Sequence, residues 1–264
     1  MKRVKLLLTM AVIAFATMIC CSMSAFALTD GDWEYQLLDN QITITGYTGS
    51  DADVVIPENI RGLPVTKING RILSASTTQS LTFPKTVKEI NRVIDAHPYN
   101  DIVTLESVVI PEGVEVIGHN AFSKCQGLTR VHLPSTIKSI GMEAFYECNN
   151  LSEKNLPEGL LYLGQSSFVA CRVPEFVVPA SVTEMGGGVF ESNTELEKLI
   201  IKAPVTIVFS RYGGFASGCT SLKEVELPAT LEEISFDSFS GCSSLESIVF
   251  PPFSRIYFKI SVFG

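Results

Sequence analysis

The chain has 264 residues, 46% of them hydrophobic, and carries 20 basic against 28 acidic residues, a net charge of −8. That size suits one domain with its own core. The acidic balance excludes a nucleic-acid partner and disfavours a bare anionic membrane surface.

At the start of the chain, Lys2, Arg3 and Lys5 precede an uncharged apolar run from Leu6 to Cys20, and Ala25-Phe26-Ala27 offers a small-x-small cleavage site. This succession predicts a signal peptide over 1–27, and hence an exported protein. The apolar run is short for a retained transmembrane anchor, so no membrane insertion is expected once the signal is removed. Cys20 and Cys21 lack the small preceding residues of a lipoprotein anchor. From Leu28 onward 17 basic residues face 28 acidic ones. No low-complexity linker or long charge run divides this part, which reads as a cap with a first coil over 28–68 and a solenoid over 69–264.

In the cap segment, Trp33-Glu34-Tyr35 and Ile42-Thr43-Ile44-Thr45 alternate as strands do, and Gly46 and Gly49 are expected to mark the turn. A solenoid's first coil exposes a core face that must be covered, which is the role assigned to this β element. Two loose units follow, in which Ile56-Pro57 and Phe83-Pro84 keep a strand-ending proline and Pro57, Pro84 and Pro111 lie 27 residues apart.

Beyond Leu105 the chain repeats itself. Leu105–Gly127, Leu128–Asn150, Leu151–Arg172, Val173–Glu195 and Leu222–Ser244 share the pattern L-x-x-V-x-L-P-x-x-I-x-x-I-G-x-x-A-F-x-x-C. Phe122, Phe145, Phe168 and Phe190 fall at intervals of 23, 23 and 22. A period in the twenties denotes a solenoid whose coils bury one continuous core between them. In the unit from Leu128, Leu128, Val131 and Leu133 predict a short strand with one face inward, and Pro134 ends it for want of an N–H. Ile137 and Ile140 return to the core, Gly141 permits a turn, and Ala144, Phe145 and Cys148 close the coil as a turn or short helical piece. The predicted class is a β-rich, α/β-type solenoid with a parallel strand ladder and an N-terminal β cap. Three departures stand out: Lys154 takes the place of Val131, Lys202 takes the place of the proline, and Val208–Gly214 reads as an insertion. Leu245–Gly264 begins a further unit.

Five cysteines remain after the signal, Cys125, Cys148, Cys171, Cys219 and Cys242. An odd number locked to the repeat phase reads as a buried packing position with free thiols. Coils about 4.8 Å apart would also permit a bridge between adjacent rungs. Zinc is not expected, because no histidine accompanies them at ligand spacing.

Leu128-Thr129-Arg130-Val131-His132-Leu133-Pro134, followed by Ile140-Gly141 and Ala144-Phe145-Tyr146-Glu147-Cys148, resembles the BspA-type leucine-rich repeat. Ile44-Thr45-Gly46-Tyr47-Thr48-Gly49, Ile56-Pro57 and Gly62-Leu63-Pro64-Val65-Thr66-Lys67-Ile68 are similar to the start of many exported members from gut Firmicutes. The resemblance implies a leucine-rich-repeat, right-handed coil array on a bacterial surface or secreted protein, with some relatives acting as adhesins. It implies no catalytic residue, cofactor or metal.

The usual catalytic constellations are missing: there is no G-x-S-x-G, H-E-x-x-H, phosphate-cradling loop or C-x-x-C. His97, His119 and His132 fall in different coils and read as solvated side chains. Leu133-Pro134-Ser135-Thr136 and Leu227-Pro228-Ala229-Thr230 are repeat letters, not sortase signals. Asp30, Asp32, Asp51 and Asp53 lack the ligand pattern of a calcium loop. Gly186-Gly187-Gly188 coincides with the repeat glycine and predicts a slack turn.

The outward strand positions, in phase with His132, are Val55, Thr82, Val109, His132, Asn155, Val177, Ile200, Glu226 and Val249. They are mostly β-branched, which either marks a protein interface or reflects strand propensity alone. The candidate partner-binding face is Val109, His132, Asn155, Val177, Ile200, Glu226 and Val249. The sequence therefore points to a non-enzymatic recognition or adhesion module that binds a protein or cell-surface macromolecule through this face or its loops. A structural spacer repeat and a carbohydrate-binding accessory module are the alternatives.

Overall fold

The computed structural model describes residues 27–73, 78–93, 104–152, 156–208, 214–234, 237–246, 248 and 255–256. The predicted signal segment, His97, Lys154, Asn155, Val249 and most of the predicted insertion lie outside them. Each coil contributes to three walls. The first is a parallel ladder in which Asp53–Val55, Ser80–Thr82, Ser107–Val109 and Arg130–His132 pair in register. Beyond the Leu151 coil, Glu175–Val178, Lys198–Ile201 and Glu224–Glu226 pair in the same way. The middle residue of each strand, from Val54 through Val108 and Val131 to Leu199 and Val225, is buried. Period-2 alternation thus puts one side chain of each three-residue strand in the core, and two of each four-residue strand, Phe176 with Val178 and Leu199 with Ile201.

The second wall is also a ladder. Glu89–Asn91, Val116–Ile117, Ser139–Ile140, Tyr162–Leu163 and Glu184–Met185 pair in parallel after Gln41–Tyr47 and Leu63–Arg71. A separate sheet continues it with Ile207–Val208, Glu233–Ile234 and Arg255–Ile256. Sequence reasoning expects a turn where this ladder runs, because two residues per coil are too few to show alternation. Its corner is tight: a Cβ on Gly164 would lie 2.4 Å from the Gly141 carbonyl carbon. The Gly186 turn is likewise not slack, since a Cβ there would come within 2.2 Å of the Gln165 nitrogen.

The third wall is made of turns, one of the two forms expected there, and no helix occurs among the described residues. Glu143, Phe145 and Glu147 donate their N–H groups to the carbonyls of Gln165, Ser167 and Val169 in the next coil, each at 2.9 Å. Asn120, Phe122 and Lys124 do the same to Met142, Ala144 and Tyr146. The geometry requires left-handed residues at fixed phase: φ is +54° to +56° at Asn120, Glu143 and Ser166, and +54° to +62° at Lys124, Glu147 and Ala170. Each such non-glycine residue costs about 1–2 kcal/mol, offset by backbone groups that would otherwise be left unpaired.

Between the walls the core is continuous. Phe122, Phe145 and Phe168 stack on one another at centroid distances of 5.6 and 5.1 Å. All five cysteines are buried with free thiols. The Sγ of Cys148, Cys171, Cys219 and Cys242 donates to the backbone carbonyl of Phe122, Phe145, Phe190 and Ala216, respectively. Burial pushes the Cys125, Cys148 and Cys171 thiols well above their ordinary range, which keeps them protonated and unreactive. Asn193 fills the cysteine position in its coil and is fully buried.

At the front, Trp33–Leu38 and Gln41–Tyr47 form an antiparallel hairpin, with Leu28–Asp30 on its free edge. The turn sits at Asp39-Asn40, where φ is +50° and +58°, rather than at Gly46 and Gly49. Asp and Asn tolerate the two left-handed positions of such a hairpin turn. Gly46 lies inside the strand, paired with Glu34. Tyr35, Ile42 and Ile44 point inward and cover the first coil.

Candidate recognition face

The first ladder sets the candidate residues in two rows. His132 pairs with Val109, Val109 with Thr82, and Thr82 with Val55. Val177, Ile200 and Glu226 pair in the same way farther along. Each row follows from the parallel register, which places identical repeat positions one above another.

The two rows differ in character. Val55 and Val109 are 63% and 66% exposed, and Thr82 and His132 are open to solvent between and beside them. Val177 and Ile200 are only half-buried, so the apolar patch expected around them is smaller than their residue types suggest. A charge cluster stands beside them instead. The Lys198 ammonium lies 2.7 Å from Glu224 and 3.2 Å from Glu226, and Lys223 lies 3.1 Å from Glu197. Hydrogen bonds to Glu224 and Glu226 hold the Lys198 ammonium above its usual range, and the bond from Lys198 holds Glu224 below the usual carboxylate range. The first row is therefore two exposed valines with a threonine and a histidine, and the second is two half-buried aliphatics beside paired charges.

Sequence reasoning did not single out Leu161 and Tyr162, which are 46% and 37% exposed at the start of a second-ladder strand. They lie within the short stretch Leu160–Leu163, whose uninterrupted apolar character hides which residue faces out. Of the weighed metal candidates, Asp51 accepts a hydrogen bond from the Tyr47 hydroxyl and Asp53 one from Ser80. No group of three His, Cys, Asp or Glu side chains converges among the described residues. Nor does any described helix have the length and apolarity to cross a membrane. What the ladder can do chemically is present a flat surface of apolar and paired-charge side chains to a macromolecule.

A strand-ladder solenoid with a phase-locked phenylalanine and cysteine core defines a bacterial leucine-rich-repeat protein. The profile of the BspA type leucine rich repeat region matches residues 92–212 and 211–263 in six copies, more than half of the chain, so the protein belongs to that family. Its fold is similar to that of a leucine-rich repeat protein from T. pallidum, at 28% identity over 83% of this chain and 91% of the other, with a TM-score of 0.58. A leucine rich cell surface protein from Faecalibacterium prausnitzii aligns at 21% identity over 89% of this chain and 86% of the other, with a TM-score of 0.53. Comparison with curated proteins gave no match. The leucine-rich-repeat solenoid family is generally non-enzymatic.

Proposed function

We propose that the protein is exported and works at the bacterial surface as a recognition or adhesion module, binding a protein or cell-surface macromolecule through its first strand ladder. The observation that carries this reading is the row Val55, Thr82, Val109 and His132, in which two valines stand almost two-thirds exposed on a rigid register. Isolated exposed apolar residues are ordinary, but a row fixed by strand pairing gives a contiguous contact with little ordering cost. The paired charges around Lys198 supply a polar rim to the same wall. Membership of a family with a cell-surface neighbour supports the location.

The test begins with arrays of host and bacterial surface proteins and of glycans. Against the ligand found there, Val109→Asp should abolish most of the binding and leave thermal unfolding unchanged, because the position has no core to disrupt. Full binding by both Val109→Asp and Ile200→Asp would exclude the strand face.

A further inference from the structure

We infer that the open edge of the first ladder, the strand Asp53–Val55, takes up an extended segment of a partner protein as an added strand, one with a basic residue two positions from a β-branched aliphatic. The inference deepens the strand-ladder reading and rests on it for the setting of a binding protein, but it uses backbone groups at the end of the ladder instead of side chains on its face.

The cap covers only one of the two ladders. Its hairpin precedes the second ladder, with Gln41–Tyr47 paired to Leu63–Arg71. The first ladder begins bare: Asp53–Val55 pairs with Ser80–Thr82 and with no other strand among the described residues. The free groups follow from the pleat. The Ala52 carbonyl accepts from the Gln79 and Ser80 N–H groups at 2.7 and 3.1 Å, and the Ile56 N–H donates to the Thr82 carbonyl at 3.0 Å. Backbone groups alternate sides along a strand, so those of Ala52, Val54 and Ile56 turn to the ladder and those of Asp53 and Val55 turn to the open edge. No backbone hydrogen bond reaches the Asp53 or Val55 N–H or carbonyl among the described residues. Val54 and Ile56 are buried and anchor the strand. Two donors and two acceptors thus stand ready for an added strand at little ordering cost.

Charge decides the occupant. Asp53 is exposed and accepts from the Ser80 hydroxyl at 2.6 Å, and Asp51 accepts from the Tyr47 hydroxyl. The bond to Asp51, burial and the Asp51 and Asp32 charges push that tyrosine up to about 12, so three carboxylates stand together. Hydroxyl donors leave their charge in place, and no ion pair reaches any of the three among the described residues. The cations of this end are placed elsewhere: Arg61 donates to the Thr29 carbonyl, and Lys85 follows Pro84 one coil inward, as Glu58 follows Pro57. A charge on a short edge strand resists a like-charged neighbour. On a chain of net charge −8 this works against self-pairing, which would gather both copies of Asp51 and Asp53 in one ribbon. The same carboxylate favours a lysine or arginine opposite it. Val55, 63% exposed and continued inward by Thr82 and Val109, favours a β-branched neighbour on the same face.

The experiment is an NMR titration of the isotope-labelled protein with the capped peptide Thr-Lys-Val-Val-Thr. Two further arms use the peptide with Glu for Lys and the peptide with its backbone amides N-methylated. The lysine peptide should shift the amides of 53–55 and 80–82 saturably. The glutamate peptide should bind about fivefold more weakly, and the N-methylated one not at all, because it keeps the side chains and loses the donors. Asp53→Asn should weaken the lysine peptide about threefold. Val55→Pro, which removes an N–H that the fold does not use, should abolish binding at an unchanged melting temperature; if it fails to fold, Asp53→Asn and the N-methylated peptide decide. Val109→Asp, two coils inward, should leave the peptide's binding unchanged, so failure of the edge and failure of the face are told apart. Four outcomes overturn the proposal: no saturable shift at 53–55, equal binding by either altered peptide, full binding by folded Val55→Pro or by Asp53→Asn, or shifts at 53–55 that grow with protein concentration alone, which would make a second copy the occupant.

Discussion

Phe122, Phe145 and Phe168 lie nearly parallel, their planes 9° and 20° apart, whereas Phe190, Phe215 and Phe239 meet edge-on at 85° and 89°. Both trios occupy the same repeat position. The first is spaced by 23 and 23 residues, the second by 25 and 24. An unchanging interval returns each side chain to the same backbone geometry one coil farther on, so rings stack as copies. Added residues turn the backbone, and the rings re-pack at angles. Phe176 wedges between the two regimes, 5.2 Å from Phe168 and 4.7 Å from Phe190. The lesson is that a solenoid tolerates a broken period by changing how its core interlocks, not by losing the core.

The largest test of that contrast is Phe145→Ala. Phe145 is fully buried between two stacked rings, and its truncation should cost about 3–5 kcal/mol in urea unfolding. Phe239→Ala, at a site 9% exposed with an edge contact to Phe215, should cost less. Equal losses would show that regular stacking adds nothing.

Asn193 probes the junction itself. Its amide donates to the Phe168 and Phe190 carbonyls, each at 2.7 Å, and its Oδ1 accepts from the Cys171 N–H at 2.9 Å. Asn193→Ala leaves these buried groups unpaired and should cost about 1–3 kcal/mol by the same measurement. Asn193→Cys, which restores the letter used by neighbouring coils and one thiol donor, should cost less than alanine. If it costs more, this coil needs the amide rather than the stack's own residue.

Ser167 sharpens the comparison from the regular side. It stands where Ala121 and Ala144 stand in the preceding coils, and its Oγ is buried without a partner. Ser167→Ala should raise stability by about 1 kcal/mol, read as a higher urea midpoint at unchanged slope; a fall would mean the hydroxyl is satisfied in solution.

The smallest effect belongs to the charge cluster in the irregular half. Glu224 sits below its ordinary range, so its contribution is present above the unfolded carboxylate value and is lost as pH falls through the depressed one. Lys198 sits above its range, so its contribution holds below 10.5 and is lost as pH rises beyond. Both groups are solvent-screened. Lys198→Met should therefore flatten a shallow fall in melting temperature at acid and alkaline extremes, visible at low salt and absent at high salt.

Much of this was legible in advance, and the reasons differ by element. The first ladder and the phenylalanine and cysteine column were readable because a strict period and a strand-ending proline such as Pro134 are properties of the letters. The second ladder was not, since pairs such as Ser139-Ile140 carry no pattern of their own. The hairpin turn was misplaced because glycine signals a turn strongly, yet Gly46 lies within the strand and the Asp39-Asn40 pair makes the turn. On the candidate face, the row positions followed from the repeat, but the half-burial of Val177 and Ile200 did not.

The sequence by itself determined the period, the inward residues and the family, because each coil buries the same short-range pattern. Only the tertiary structure decided the third wall. Glu143, Glu147 and Ala170 have no intrinsic preference for left-handed backbone; they adopt it because N–H and C=O groups of adjacent coils, over twenty residues away along the chain, must pair.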